Sequence, residues 1–188
     1  MGPVKFLLWA FFIFCTLSSA VAVPCHAAGD VSIRISVSRQ TLTLLERNKP
    51  VKTYPVSTSK YGTGNKRLSN KTPLGRHVIA KKIGTGMPEL TVFANRVATG
   101  RLNRVNMTRE PVKPDMVTTR ILWLKGLEPG VNAGKRVDSF HRFIYIHGTP
   151  DEGLIGTPAS HGCVRMKNHD VAELYERVEV GTPVLIEA

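Results

Sequence analysis

Cysteine is scarce in this chain: three residues, Cys15, Cys25 and Cys163, among 188. Acidic residues are short too, 14 Asp and Glu against 26 Lys and Arg, which leaves a net charge of +12 and a pI near 10.0. No internal repeat, heptad pattern or low-complexity tract is present. These absences exclude a repeat solenoid, a coiled coil and a low-complexity disordered protein. So basic a surface favours anionic partners. The length suits one domain with a substantial core.

Residues 1–28 stand apart from that domain. Lys5 precedes a continuous apolar run, Phe6 to Phe14, and small residues follow at Ala20, Ala22, Ala27 and Ala28. A positive start, an apolar centre and small-residue cut sites make this a signal peptide, cleaved between about 22 and 28. The alternative is a single membrane anchor over Leu7–Val23, a 17-residue stretch at the low end of the ~17–25 needed to span, and weakened by Thr16, Ser18 and Ser19. Cleavage leaves no stable membrane anchor. Cys15 then departs with the leader, and Cys25 sits at the cut. Cys163 becomes the single cysteine of an exported domain, destined for a periplasm or cell wall. Exported proteins usually pair their cysteines, so an unpaired one points to a reactive thiol. Export also argues against nucleic acid as the anionic partner. It favours the cell envelope, with a merely solvated basic surface as the alternative.

The densest group of reactive side chains runs from Tyr145 to Met166, Y-I-H-G-T-P-D-E-G-L-I-G-T-P-A-S-H-G-C-V-R-M. It holds His147, Ser160, His161, Cys163 and Arg165. A catalytic thiol needs a base or positive surroundings. His147, at the end of the apolar run Phe143–Ile146, is the candidate base. Gly148 turns the chain, and a glycine-rich loop returns Cys163 to it. Gly162 permits positive φ beside the cysteine. The N–H groups of Gly162 and Cys163 are the expected oxyanion donors. Ser160 serves the loop backbone or His161, and His161 is placed to polarise the site. Arg165, two residues past Cys163, shares its face if the segment is extended. It then either steadies a thiolate and a substrate carboxylate or pairs with a nearby acid such as Asp170. Zinc held by His147, His161, Cys163 and His169 is the chemical rival, but His161-x-Cys163 is unusual ligand spacing.

H-G-T followed by a short loop and S-H-G-C-V-R-M resembles the active-site signature of the YkuD-type L,D-transpeptidases, cysteine enzymes that crosslink bacterial peptidoglycan. The likeness runs from about Val31 to Glu187, with T-P-L-G-R-H at Thr72–His77 and V-G-T-P-V-L-I at Val180–Ile186 as further matches. It implies a β-sandwich with a short helix after the catalytic loop. It implies that the Gly148 carbonyl orients His147, and that Thr72 and Gly75 line the substrate cleft. It implies stem peptides as substrates and no cofactor.

In chain order, Ser32–Val37 alternates as a half-buried strand. Thr41–Leu45 and Val51–Ser57 follow around a turn at Asn48-Lys49-Pro50. Ser59–Lys71 reads as a basic loop, and His77–Ile83 as the next strand. Gly84–Arg120 reads as a long irregular stretch, a lid or a decorated linker, with short strands at Leu90–Phe93 and Arg104–Met107. Thr118–Leu124 and Phe140–Ile146 are strands. Val171, Leu174, Tyr175 and Val178 mark one face of a helix capped by Asn168 or Asp170, and Val184–Ile186 is the last strand. The expectation is a mainly β catalytic domain over 31–187 behind a leader over 1–28. Its chemistry is acyl transfer through a thioester on Cys163 with His147 as base. The alternatives are an L,D-carboxypeptidase or endopeptidase using water, and an inactive basic wall-binding module.

Overall fold

The computed structural model describes residues 1–2 and 30–188. The expected leader, with Cys15 and Cys25, otherwise lies outside the described residues. Strand β1 (Val31–Ser36), β2 (Thr41–Glu46) and β3 (Lys49–Pro55) form the opening meander. Its second reversal is at Arg47-Asn48, where both residues have positive φ (50° and 62°). That is the backbone of a two-residue hairpin turn, so the third strand starts at Lys49, earlier than its sequence suggests.

The chain then adds β4 (Gly75–Ile83), β5 (Thr91–Ala94), β6 (Val97–Leu102), β7 (Val117–Gly126), β8 (Tyr145–Gly148) and β9 (Val164–Met166). Helix α1 (Asn168–Arg177) and β10 (Pro183–Glu187) complete it. The strand order is β3-β2-β1-β10-β4-β7-β5-β6, with β8 beside β7 and β9 beside β8. The C-terminal strand is therefore inserted between β1, its parallel partner, and β4. Ser57, just past β3, exchanges backbone hydrogen bonds with Arg165 of β9, both 2.9 Å. The sheet thus curls until its far ends meet. The mainly β expectation holds, with one short α-helix among the described residues. The strands are joined in one branched sheet wrapped on a core rather than split into two separate sheets.

The core is aliphatic. Ile33, Ile35, Leu42, Leu44, Ile79, Leu122, Leu124, Ile146 and Val164 alternate inward, and α1 seals them with Val171, Leu174 and Tyr175. Burying each such side chain contributes roughly 1.5–3 kcal/mol. A second cluster of Phe93, Ile121, Trp123 and Tyr145 lies apart from it, with Cys163 packed against its margin.

Three expectations are corrected. The strand carrying His147 begins at Tyr145, not Phe140, because Asp138 gathers the preceding residues into turns: its Oδ1 accepts from His141 N–H (3.0 Å) and its carbonyl from Arg142 N–H (3.0 Å). Residues 104–107 are not a strand, since Asn106 donates to the Glu110 carbonyl (2.7 Å) and folds the segment on itself. The strand of this region is β6 instead, paired with β5. Finally, α1 begins after Lys167 with no side-chain cap; Asn168 is turned inward, to the groups described below.

Candidate active site

Strands β8 and β9 run parallel, with Ile146 opposite Val164 and His147 opposite Arg165. Ile146 and Val164 are both 0% exposed and face the core. Strict alternation then puts Tyr145, His147, Cys163 and Arg165 together on the other face. One-residue register shifts would send all four inward.

Cys163 is half-buried at the mouth of this arrangement. Tyr145 N–H donates to its Sγ (3.4 Å), and its thiol donates to the Phe143 carbonyl (3.3 Å). The surrounding protein pushes the thiol up to about 11, an effect the Tyr145 N–H opposes. His147 is buried and lies 2.7 Å, through Nδ1, from the Gly148 carbonyl. A carbonyl only accepts, so Nδ1 carries the proton and the neutral ring presents its lone pair at Nε2. Burial holds that ring down at about 4. At neutral pH the resting pair is therefore thiol and imidazole, not thiolate and imidazolium.

The loop behind the cysteine is tied from within. Ser160 Oγ donates to the Cys163 carbonyl (2.6 Å) and accepts from Gly162 N–H (3.2 Å). Gly162 has φ +123°. Ser160 thus serves the backbone, not His161. Its bond with Gly162 also occupies one of the two expected oxyanion donors. Thr72 is fully buried and donates to the Gly162 carbonyl (3.1 Å), so its side chain braces the loop from below rather than facing a cleft. Gly75, at φ +99°, stands elsewhere, against the side chains of Glu128 and Asn132.

Arg165 is 2% exposed. It pairs with Asp115 and reaches Asp151 at 4.0 Å, so its acid partner is not Asp170. Asp115 also accepts from His161 Nδ1 (3.0 Å). Burial tends to raise Asp115, but Arg165, His147 and His161 outweigh it and hold the carboxyl below its usual range. The Arg165 guanidinium is thus directed at carboxylates of its own chain, while its Nε and Nη1 have no hydrogen-bond partner among the described residues. Among the described residues no three His, Cys, Asp or Glu side chains gather as metal ligands would.

Two cavities share a wall at Phe143. One, of about 310 Å³, is lined by Phe93, Asn95, Arg96, Val117, Ile121 and Tyr145 as well. The other, of about 160 Å³, is basic, with Arg67, Arg142, His141 and His161.

Residues 30–186 match the family model of the YkuD L,D-transpeptidase catalytic domain. The chain belongs to this family. It is 30% identical over 155 residues to a Bacillus licheniformis protein named L,D-transpeptidase YkuD, covering 82% of this chain and 64% of that one. Its fold is similar to an L,D-transpeptidase from Mycobacterium smegmatis (TM-score 0.50, 20% identity, covering 85% of this chain and 59% of that one). It is also similar to L,D-transpeptidase 3 of Mycobacterium tuberculosis in complex with a faropenem-derived adduct (TM-score 0.51, 19% identity, covering 85% and 60%). The chain therefore spans about three fifths of the length of these relatives.

In this YkuD domain several site-building residues carry no motif. Asp115 lies in the stretch between β6 and β7, 50 positions from Arg165. Asn168 accepts at Oδ1 from Thr118 (2.7 Å) and Thr119 (2.5 Å), and donates at Nδ2 to the Thr149 carbonyl (2.8 Å) and Glu152 (2.7 Å). Phe143 supplies the carbonyl under the thiol. A cap-type residue inside an apolar helix face was the one available signal for Asn168; Asp115 and Phe143 had none.

Proposed function

We propose that this chain is an exported cysteine acyl transferase that forms peptidoglycan crosslinks, with a leader over 1–28 and a catalytic domain over 31–187. The observation that carries the reading is the common face of Cys163 and His147, with the imidazole lone pair freed at Nε2 by the bond to the Gly148 carbonyl. In the first step Cys163 Sγ attacks the carbonyl of the L-configured centre in a stem tetrapeptide while its proton passes to His147. The neutral resting pair makes that transfer part of the attack rather than a step before it. Cys163 N–H steadies the oxyanion, joined by Gly162 N–H if it leaves Ser160. His147 returns the proton to the departing amine of the terminal D-amino acid, leaving a thioester. An amine on a second stem attacks the thioester, giving its proton to His147. The thiol is regenerated and a new amide remains. Nothing in the cycle calls for a cofactor.

The test is incubation of the purified protein with tetrapeptide muropeptides. Crosslinked dimers are expected, and tripeptides alone would make water the acceptor. Cys163→Ala should abolish turnover with its melting temperature at neutral pH largely kept, because a half-buried loop thiol fills little core volume. A carbapenem-type β-lactam should add once, on Cys163, by intact-protein mass. An adduct that persists in Cys163→Ala would move the nucleophile elsewhere.

A further inference from the structure

The larger cavity beside Phe143 contains a cation without a counter-charge. Arg96 reaches into it from the turn between β5 and β6, where Asn95 and Arg96 have φ of 47° and 68°. Such two-residue hairpins favour glycine at the second position, and a long side chain is disfavoured there. Local turn chemistry therefore does not account for an arginine. Its guanidinium lies 5.2 Å from the Trp123 ring centre and 4.7 Å from that of Phe143, and Nη1 donates to the Tyr145 hydroxyl (3.2 Å). Among the described residues no carboxylate lies within ion-pair distance of it. Of the other arginines around the sulfur, Arg165 is paired with Asp115, with its Nε and Nη1 unpartnered among the described residues, and Arg142 donates to the carbonyls of Gly64 (3.2 Å) and Lys71 (2.6 Å).

The position relates directly to the reacting atom. Tyr145 and Phe143, the residues Arg96 touches, are the two whose backbone groups hold Cys163 Sγ. Phe93, Val117 and Ile121 give the cavity an apolar wall, and Asn95 adds a polar group at the turn. An aromatic-lined cleft with one guanidinium that lacks a carboxylate partner suits one carboxylate of a bound peptide. Apolar walls strengthen the pairing by excluding water, and the planar fork gives it direction.

We propose that Arg96 is the specificity residue for the acyl donor, binding a carboxylate of the stem peptide within the Phe93–Val117–Tyr145 cleft. This rests on the stem-peptide reading above. The carboxylate is either that of the departing D-amino acid or a second one carried by the diamino acid before it.

Binding, not turnover, tests it. The probes are three synthetic tetrapeptides: the free acid, its C-terminal amide, and the amide of the diamino acid's side-chain carboxylate. Each is titrated by calorimetry into the full chain as Cys163→Ala, with and without Arg96→Gln. Arg96→Gln should weaken the free acid by about tenfold or more. One of the two amides should bind the Arg96 protein as weakly as the free acid binds the Gln variant, and that amide identifies the carboxylate. If Arg96→Gln melts early, Arg96→Lys takes its place; it keeps the charge, loses the fork and should weaken the free acid by a smaller factor. Equal ranking of the three peptides by both proteins overturns the inference. So does absence of binding by any of them, and crosslink formation by the Cys163 protein then decides separately whether the stem-peptide reading stands.

Discussion

His147 folds as a neutral imidazole because burial pushes it from 6.5 to about 4. The unfolded chain takes up that proton as the pH falls through the ordinary value, while the folded chain refuses it until near 4. Between those points the unfolded state binds more protons, so stability falls with falling pH, by about 3 kcal/mol from this residue. Cys163 sets the opposite limb. Its thiol, raised from 9.0 to about 11, stays protonated in the fold after the unfolded chain has lost its proton. Stability present below 9 is then lost as the pH rises towards 11. Melting temperatures across pH should trace a dome. His147→Gln should flatten its acid side in part, since buried His77 is lowered too, and Cys163→Ala should flatten its alkaline side. A melting curve of His147→Gln with the acid slope unchanged would refute the assignment. Arg165 gives a second prediction. Removing its fork leaves Asp115 and buried Asp151 facing a shorter, single-point charge, so Arg165→Lys should cost about 2 kcal/mol and several degrees of melting temperature. Turnover per folded molecule should hold within about twofold. A fall of about tenfold with unchanged melting would return Arg165 to substrate binding.

Asn168 is where the helix, the β7 strand and the strand carrying His147 are fastened together. Its amide satisfies Thr118 and Thr119 on β7, the Thr149 carbonyl just past β8, and Glu152. A Cβ on Gly148 would come within 2.8 Å of both Asn168 Oδ1 and the Thr118 carbonyl, so this junction leaves room only for glycine. Gly148 in turn supplies the carbonyl that orients His147. Asn168→Ala strands several buried polar groups at once and should cost about 3 kcal/mol or more. It should also lower kcat more than KM, because the imidazole loses its anchor. Normal kcat in a destabilised Asn168→Ala would separate the junction from the chemistry. The same residue shows what a sequence exposes. Val171, Leu174, Tyr175 and Val178 announced the helix through spacing alone, and alternation announced β1. His147 and Cys163 were legible because one short stretch contains both. Asn168 read as a cap because its partners lie up to 50 positions away. Strand β6 is not legible in the sequence because all of its residues are exposed, which removes the alternation, and because Asn95-Arg96 lacks the glycine that signals a tight turn. Asp115 was invisible for a related reason: an ion pair is made by the closure of the sheet, not by any local pattern.

At the scale of the molecule, the charge of +12 is unevenly useful. Lys60, Lys66, Arg67 and Lys71 are exposed on the segment between β3 and β4. That segment is stitched to the loop before Cys163: Ser59 bridges Ser160, and Lys60 N–H donates to the Ser160 carbonyl (3.1 Å). Arg67 also lines the basic cavity next to Phe143. If the proposed function holds, a polyanionic wall would be drawn to the edge of the site, and long-range attraction of this kind raises association rather than chemistry. Salt separates the two. The screening length shrinks from roughly 10 Å at 0.1 M to 3 Å at 1 M, so contacts between exposed charges fade while those inside the fold persist. Binding to isolated peptidoglycan should fall steeply over that range. Acylation of Cys163 by a small β-lactam should change by no more than about twofold, since its partners are backbone groups and buried side chains. Lys60→Gln, Lys66→Gln and Lys71→Gln together should lower wall binding at the lower salt to near its high-salt value and leave the acylation rate as it was. Wall binding equal at both salts would make the basic segment a solvated surface with no part in docking. An acylation rate that fell in step with wall binding would instead place those lysines within the electrostatics of the thiol.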